Sequence, residues 1–106
     1  MRKIDQQVAI AIEKKENLKK GNTLVQYSPT KEESSVSLHG SEIAKVFHED
    51  NTVVVNFCGY QTNVTKDRIN AVLDGAGKIE HFKFKNGEIV LMPTNVVVLD
   101  NETIKL

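Results

Sequence analysis

One cysteine, no tryptophan, two prolines and no apolar run near membrane length mark this 106-residue chain. Cys58 alone cannot close an intramolecular disulfide. No apolar stretch approaches the roughly 18 residues that a membrane helix needs, so no membrane span is expected. Charge of one sign is also missing, because 14 basic residues balance 14 acidic ones. No whole-molecule field then draws the protein onto nucleic acid or anionic lipid, and such binding requires a local patch. The basic start of the chain is followed by an apolar segment, but Asp5, Gln6, Gln7 and Glu13 interrupt it and no small-residue cleavage site follows. A reducing cytoplasm is the expected setting.

Motifs that carry chemistry are missing as well. There is no Walker loop, no dinucleotide-binding glycine pattern and no nucleophile elbow. Gly75 and Gly77 follow a helical pattern rather than precede one, the wrong order for cradling phosphate. His39, His48 and His81 are scattered, and no Cys or His pair has metal-ligand spacing, so neither a metal nor a cofactor is expected. Cys58 with one of the histidines is the single nucleophile arrangement on offer. A lone cysteine in a buried strand more often behaves as a small inert apolar residue, so the expectation is a protein that is not an enzyme.

What is present organises around residues 52–77. Val53, Val54, Val55 and Phe57 form a β-branched and aromatic run, the composition of a strand buried on both faces or central in a sheet. After the polar link Tyr60 to Asn63, Thr65 is placed as N-cap, with Val64 and Ile69 at hydrophobic-staple spacing and Asp67 in the first turn. Ile69, Val72 and Leu73 make the buried stripe, and Gly75 is the expected left-handed stop. Upstream, Ile4, Val8, Ala11, Ile12 and Leu18 share one side of a helix over about residues 4–20, closed by Gly21. Lys15 falls inside that stripe, where it can snorkel at the helix end, and Ile10 faces away as an exposed apolar residue or a partner contact.

Leu24, Val25 and Tyr27 suggest a short strand, followed by a loop over 28–35. Val36 to Leu38 and Ile43 to His48 read as strands joined at Gly40-Ser41, although SEIAKVF also fits a turn and a half of helix. With the Val53 strand they give a three-stranded meander. The clearest hairpin turns at Asn86-Gly87, since both residues tolerate the positive φ of a type I′ turn; Phe82 and Phe84 line one face and His81, Lys83 and Lys85 the other. Val96 to Leu99 is one more strand before a tail carrying Ile104 and Leu106. Residues 1–106 therefore read as a single α+β domain: a mainly antiparallel sheet of five to seven strands, an N-terminal amphipathic helix and a short central helix packed on it.

Two kinds of surface stand out. The densest polar constellation is Tyr60, Gln61, Thr62, Asn63, Lys66, Arg68 and Asn70, which either ties strand to helix by hydrogen bonds or presents a recognition surface on a rigid corner. Arg68 and Asn70 flank the apolar stripe and are placed to cap sheet or loop carbonyls. The alternative is a basic patch of Lys14, Lys15, Lys19 and Lys20 together with Lys83 and Lys85, suited to tracking phosphates but with little aromatic interleaving for base stacking. Residues 1–20 carry a local net charge of plus three. Self-association through unpaired sheet edges also stays open.

The run LHGSEIAKV at 38–46, followed by VNFCGYQTNVTKDRIN at 55–70, resembles a pattern in small, mostly uncharacterised bacteriophage proteins: a strand reaching a Gly-aromatic pair, then Thr-x-x-Thr, a basic residue and Arg-Ile/Leu-Asn. Gly59-Tyr60, Thr62, Thr65, Lys66, Arg68, Ile69 and Asn70 are the matching positions, with Tyr60 where tryptophan is commoner. The resemblance covers about a third of the chain. It implies a phage protein acting in the bacterial cytoplasm, and together with the absent catalytic motifs it leads us to expect a small module that contacts a host or phage protein.

Overall fold

The computed structural model describes residues 2–106, so Met1 of the expected domain lies outside the described residues. The α+β class holds. Helix α1 (Lys3–Lys14) leads into β1 (Leu18–Lys20), β2 (Thr23–Ser28), β3 (Glu33–Leu38), β4 (Ser41–Phe47) and β5 (Thr52–Val55). Helix α2 (Asn63–Gly75) follows, then β6 (His81–Lys85), β7 (Glu88–Met92), β8 (Val96–Val97) and β9 (Ile104–Lys105). All pairings are antiparallel. The strands divide into a six-stranded sheet, β1-β2-β3-β4-β5-β9, and a three-stranded sheet, β6-β7-β8.

Several boundaries differ from expectation, each for a local reason. The first helix ends at Lys15, which adopts a left-handed conformation (φ 57°), while the Glu16 amide closes the last turn on the Ala11 carbonyl. Leu18 leaves the helical stripe because it pairs with Val25 across the sheet, and Gly21 turns β1 into β2 instead of stopping a helix. Lys15 does not snorkel over an apolar stripe; it reaches Glu32 at 3.1 Å. SEIAKVF is strand, and its turn from β3 is His39-Gly40, both with positive φ, rather than Gly40-Ser41. The Val53 strand ends at Val55, and only Val53 and Val55 are fully buried, because Thr52 and Val54 face the half-exposed side. Of the run Val96 to Leu99, only Val96 and Val97 are strand; Val98 is buried and Leu99 projects outward. The tail pairs instead of trailing, with Val55 opposite Ile104.

Helix α2 begins earlier and ends later than its apolar stripe suggests. Thr62 is the N-cap, its hydroxyl accepting from the Thr65 amide at 3.2 Å, so Thr65 lies inside the helix and Asp67 falls beyond the first turn. Gly75 remains helical, and the left-handed residue is Gly77 (φ 75°). Gly75 has a different role, for a Cβ there would stand 2.4 Å from the Ala9 carbonyl oxygen and 3.0 Å from the Ala9 Cα. That approach brings the C-terminal end of α2 against α1. Toward its other end Arg68 of α2 reaches Asp5 of α1 at 2.5 Å, with Asp5 2% and Arg68 6% exposed.

The core lies between these helices and the large sheet. Val8, Ala11 and Ile12 from α1 and Ile69, Val72 and Leu73 from α2 meet Val25, Val36, Ile43, Val46, Val53 and Val55. Phe57 continues it beyond the end of β5 and meets Phe82 edge to face, ring centroids 5.3 Å apart, which couples the small sheet to the large one. The hairpin is as expected, with Asn86 and Gly87 both at positive φ, Phe82 buried and His81, Lys83 and Lys85 exposed. At one end of β2, β3 and β4, Lys15, Tyr27, Glu32, Ser34 and His48 form a cluster. Glu32 accepts from Tyr27 and Lys15, and His48 pairs with Ser34 Oγ at 2.6 Å and packs edge to face on Tyr27.

Two outcomes follow for stability. Asp5→Ala strands the buried Arg68 guanidinium without its counter-ion, so a loss of about 3–5 kcal/mol is expected in urea titration. The His48 imidazole sits below its usual pKa, chiefly from burial and then from the Lys15 charge, with Glu32 opposing. In the unfolded chain His48 takes up its proton near pH 6.5, above the folded value. Its contribution is therefore complete above about pH 6.5 and is lost as pH falls through the depressed folded value. The urea midpoint should drop more between about pH 7.5 and about pH 5.5 in the wild type than in His48→Gln.

Candidate functional site

The strand-helix corner is built from irregular backbone held by side chains. After β5, Cys58 and Gly59 both take positive φ, and the Cys58 amide is held by the Asn56 side chain at 2.7 Å. Tyr60 then closes a turn on the Phe57 carbonyl at 2.9 Å, and Thr62 starts α2. The Tyr60 ring is held outward with 59% of the residue exposed. Such a turn fixes the backbone while leaving the aromatic ring exposed.

Of the seven polar residues singled out in the sequence, four are committed to internal contacts. Gln61 donates its amide to the Val98 carbonyl at 2.9 Å, and Thr62 caps α2. Asn70 clamps β6 with two bonds, accepting from the Phe82 amide and donating to the Phe82 carbonyl, each at 2.8 Å. Arg68 caps no carbonyl; its guanidinium turns inward to Asp5, because a buried carboxylate on α1 is the stronger partner. Lys66 lies 3.3 Å from Asp67 and 5.7 Å from the centre of the Phe84 ring, which places it beside the hairpin. Tyr60 and Asn63 are left on the surface.

Tyr60 and Thr62 line a cavity of about 350 Å³ together with Leu38, His39, Ile43, Val64 and Thr65. Its walls are largely apolar side chains, and Tyr60 and the exposed Val64 form its rim. Leu38, His39, Ile43 and Val64 were not singled out as site residues. The signal for them was the His39-Gly40 turn, whose type I′ geometry carries β3 and β4 up beside the helix start. A second cavity of about 610 Å³ adjoins the first, sharing Leu38, His39 and Val64, and receives Arg2, Lys3, Lys20 and Arg68.

The lysines of the basic patch do not form one surface. Lys14 and Lys15 end α1, Lys19 and Lys20 lie on β1 at the edge of the large sheet, and Lys83 and Lys85 belong to the small sheet. Among the described residues no group of three or more His, Cys, Asp or Glu side chains is placed to hold a metal ion. Among the described residues no helix is long and apolar enough to cross a membrane either.

Cys58 lies past the end of its strand, not within it, and is partly buried. Its Sγ contacts the Glu42 carbonyl at 3.3 Å, and its thiol pKa is raised, first by burial and then by the Glu42 charge. Both effects disfavour the thiolate. At a given pH near 8 the folded protein should react with a thiol-selective alkylating reagent more slowly than the urea-unfolded chain, as followed by mass spectrometry; equal rates would contradict this.

A protein-family model described as Kyanoviridae Gp96 protein matches residues 1–104. No curated protein and no solved structure matches the chain. The family is one of phage proteins, so the phage origin expected from the sequence holds. With the match running over nearly the whole chain, from α1 to the last strand, the protein belongs to the Kyanoviridae Gp96 protein family.

Proposed function

We propose that this protein is a small non-enzymatic binding module, working in the cytoplasm of the infected bacterium, that contacts a host or phage protein through the Tyr60 groove. The supporting observation is the groove: an apolar cavity rimmed by an exposed tyrosine and an exposed valine on rigid backbone. Aromatic anchors beside a preformed apolar pocket are what protein interfaces use as hot spots, since a tyrosine buries a large area at low entropic cost. The expected occupant is an apolar side chain of the partner, inserted between Tyr60, Val64 and Ile43. On this reading the run that resembles a pattern in small phage proteins, Gly59-Tyr60, Thr62 and Thr65 with Lys66, Arg68, Ile69 and Asn70, belongs to the corner that carries this surface. Its glycine and threonines build the turn and cap, Arg68 and Asn70 anchor the helix, and Tyr60 makes the contact.

The test is affinity capture with tagged protein from infected and uninfected bacterial lysates, with and without nuclease. A stoichiometric protein partner is expected to survive nuclease and to be lost with Tyr60→Ala and Val64→Gln, both at exposed positions that should leave the fold intact. A partner held equally by the two variants would overturn the assignment of the groove. Capture that disappears on nuclease treatment would overturn the protein-binding reading in favour of nucleic acid and the lysines of α1 and β1.

A further inference from the structure

The cavity beside the Tyr60 groove carries an inference of its own, independent of the partner proposed above. It lies where α1 and the start of α2 cover the edge of the large sheet. In register, Lys20 of β1, Thr23 of β2 and Leu38 of β3 stand directly opposite one another, which puts their side chains on one face. Gln7 shares a face of α1 with Lys3 and Ile4, and Arg68 shares a face of α2 with Val64. All of these residues line the one cavity of about 610 Å³.

Three buried side-chain atoms have no hydrogen-bond partner among the described residues: Gln7 Oε1, Thr23 Oγ1 and Arg68 Nε. All three belong to residues lining this cavity. Thr23 is 1% exposed, and an unpaired polar atom at such depth is costly unless something supplies the missing bond. Arg68 Nε–H and the Thr23 hydroxyl are donors, and the Gln7 amide becomes a third donor by exchanging its oxygen and nitrogen ends. The charge agrees. Arg2, Lys3, Lys20 and Arg68 line the cavity with no carboxylate among its walls. Arg2 and Arg68 are offset by Asp67 and Asp5, but Lys3 and Lys20 have no carboxylate partner among the described residues. Ile4, Leu38 and Val64 supply apolar walls.

We infer that this cavity binds a small molecule carrying an oxyanion, carboxylate or phosphate, on a compact apolar body. The unpaired atoms have almost no accessible surface of their own, so the Gln7, Thr23 and Arg68 side chains turn slightly toward the cavity for the oxyanion to accept from them between the Lys3 and Lys20 ammonium groups, while the body rests against Ile4, Leu38 and Val64. The cavity has the size of ordinary small-ligand sites, about 300–1,000 Å³.

The probes are phenyl phosphate, inorganic phosphate, phenylacetate and the neutral phenol, titrated into the full ¹⁵N-labelled chain. Phenyl phosphate or phenylacetate should shift the amides of Lys20 to Thr23 and the Arg68 Nε–H signal saturably, more tightly than inorganic phosphate. Which of the two binds more tightly separates phosphate from carboxylate. Lys3→Gln with Lys20→Gln should weaken the better ligand about tenfold, the loss expected for removing charge-assisted contacts. Both lysines are exposed, and Thr23→Val offers a second variant that removes one donor without touching the charge. Unsaturable or absent shifts with both anions, equal binding of phenol, equal binding of inorganic phosphate, or affinity unchanged in the double lysine variant would each overturn the assignment.

Discussion

The ion pair between Asp5 and Arg68 is the constraint on which the rest of the arrangement depends. Both groups are taken almost wholly out of water, so neither tolerates the other's loss, and the two helices are held at that one register. At the C-terminal end of α2 the contact is steric, since Gly75 sits against the Ala9 backbone where no side chain fits. A charge pair toward one end and a backbone approach at the other leave α2 little freedom to slide or tilt on α1. The start of α2 is thereby fixed over the edge of the large sheet, and both cavities are consequences of that placement.

The corner between β5 and α2 illustrates how irregular chain is made rigid. Between Asn56 and Asn63 no ladder is available, so backbone groups are held by Asn56 and Thr62, while Gln61 and Asn70 reach out to Val98 and Phe82. The same bonds join the small sheet to the helix, and the Phe57–Phe82 contact packs beneath them. Polar side chains that look like a recognition surface in the sequence are thus mostly the fastening of the corner itself. The groups left exposed there are Tyr60, Asn63 and Val64, with Lys66 at the margin.

Elements with strong local codes were legible. Asn86-Gly87 could turn only one way without strain, and the alternating residues around it gave the hairpin and the direction of Phe82 and of Lys83. The buried stripe Ile69, Val72, Leu73 was equally plain, as was the meander from β3 to β5. Boundaries failed where two codes competed. Leu18 fits a helical stripe and a strand equally well, and it was the pairing with Val25, a contact between residues outside any helical period, that decided for strand. Thr62 and Thr65 are both good caps; the earlier one is used where Tyr60 closes its turn on Phe57 and Gln61 is tied to Val98.

Composition and local periodicity by themselves determined the α+β class, the two helices, the meander and the hairpin. These depend on residues a few positions apart, whose preferences survive in any context. The pairing of Asp5 with Arg68, the gathering of Gln7, Thr23 and Arg68 around one cavity and the groove between His39 and Tyr60 were decided only by the tertiary structure. Each joins residues separated by tens of positions, and whether a charge or a hydroxyl faces water or a buried partner is a property of the packing, not of the chain order.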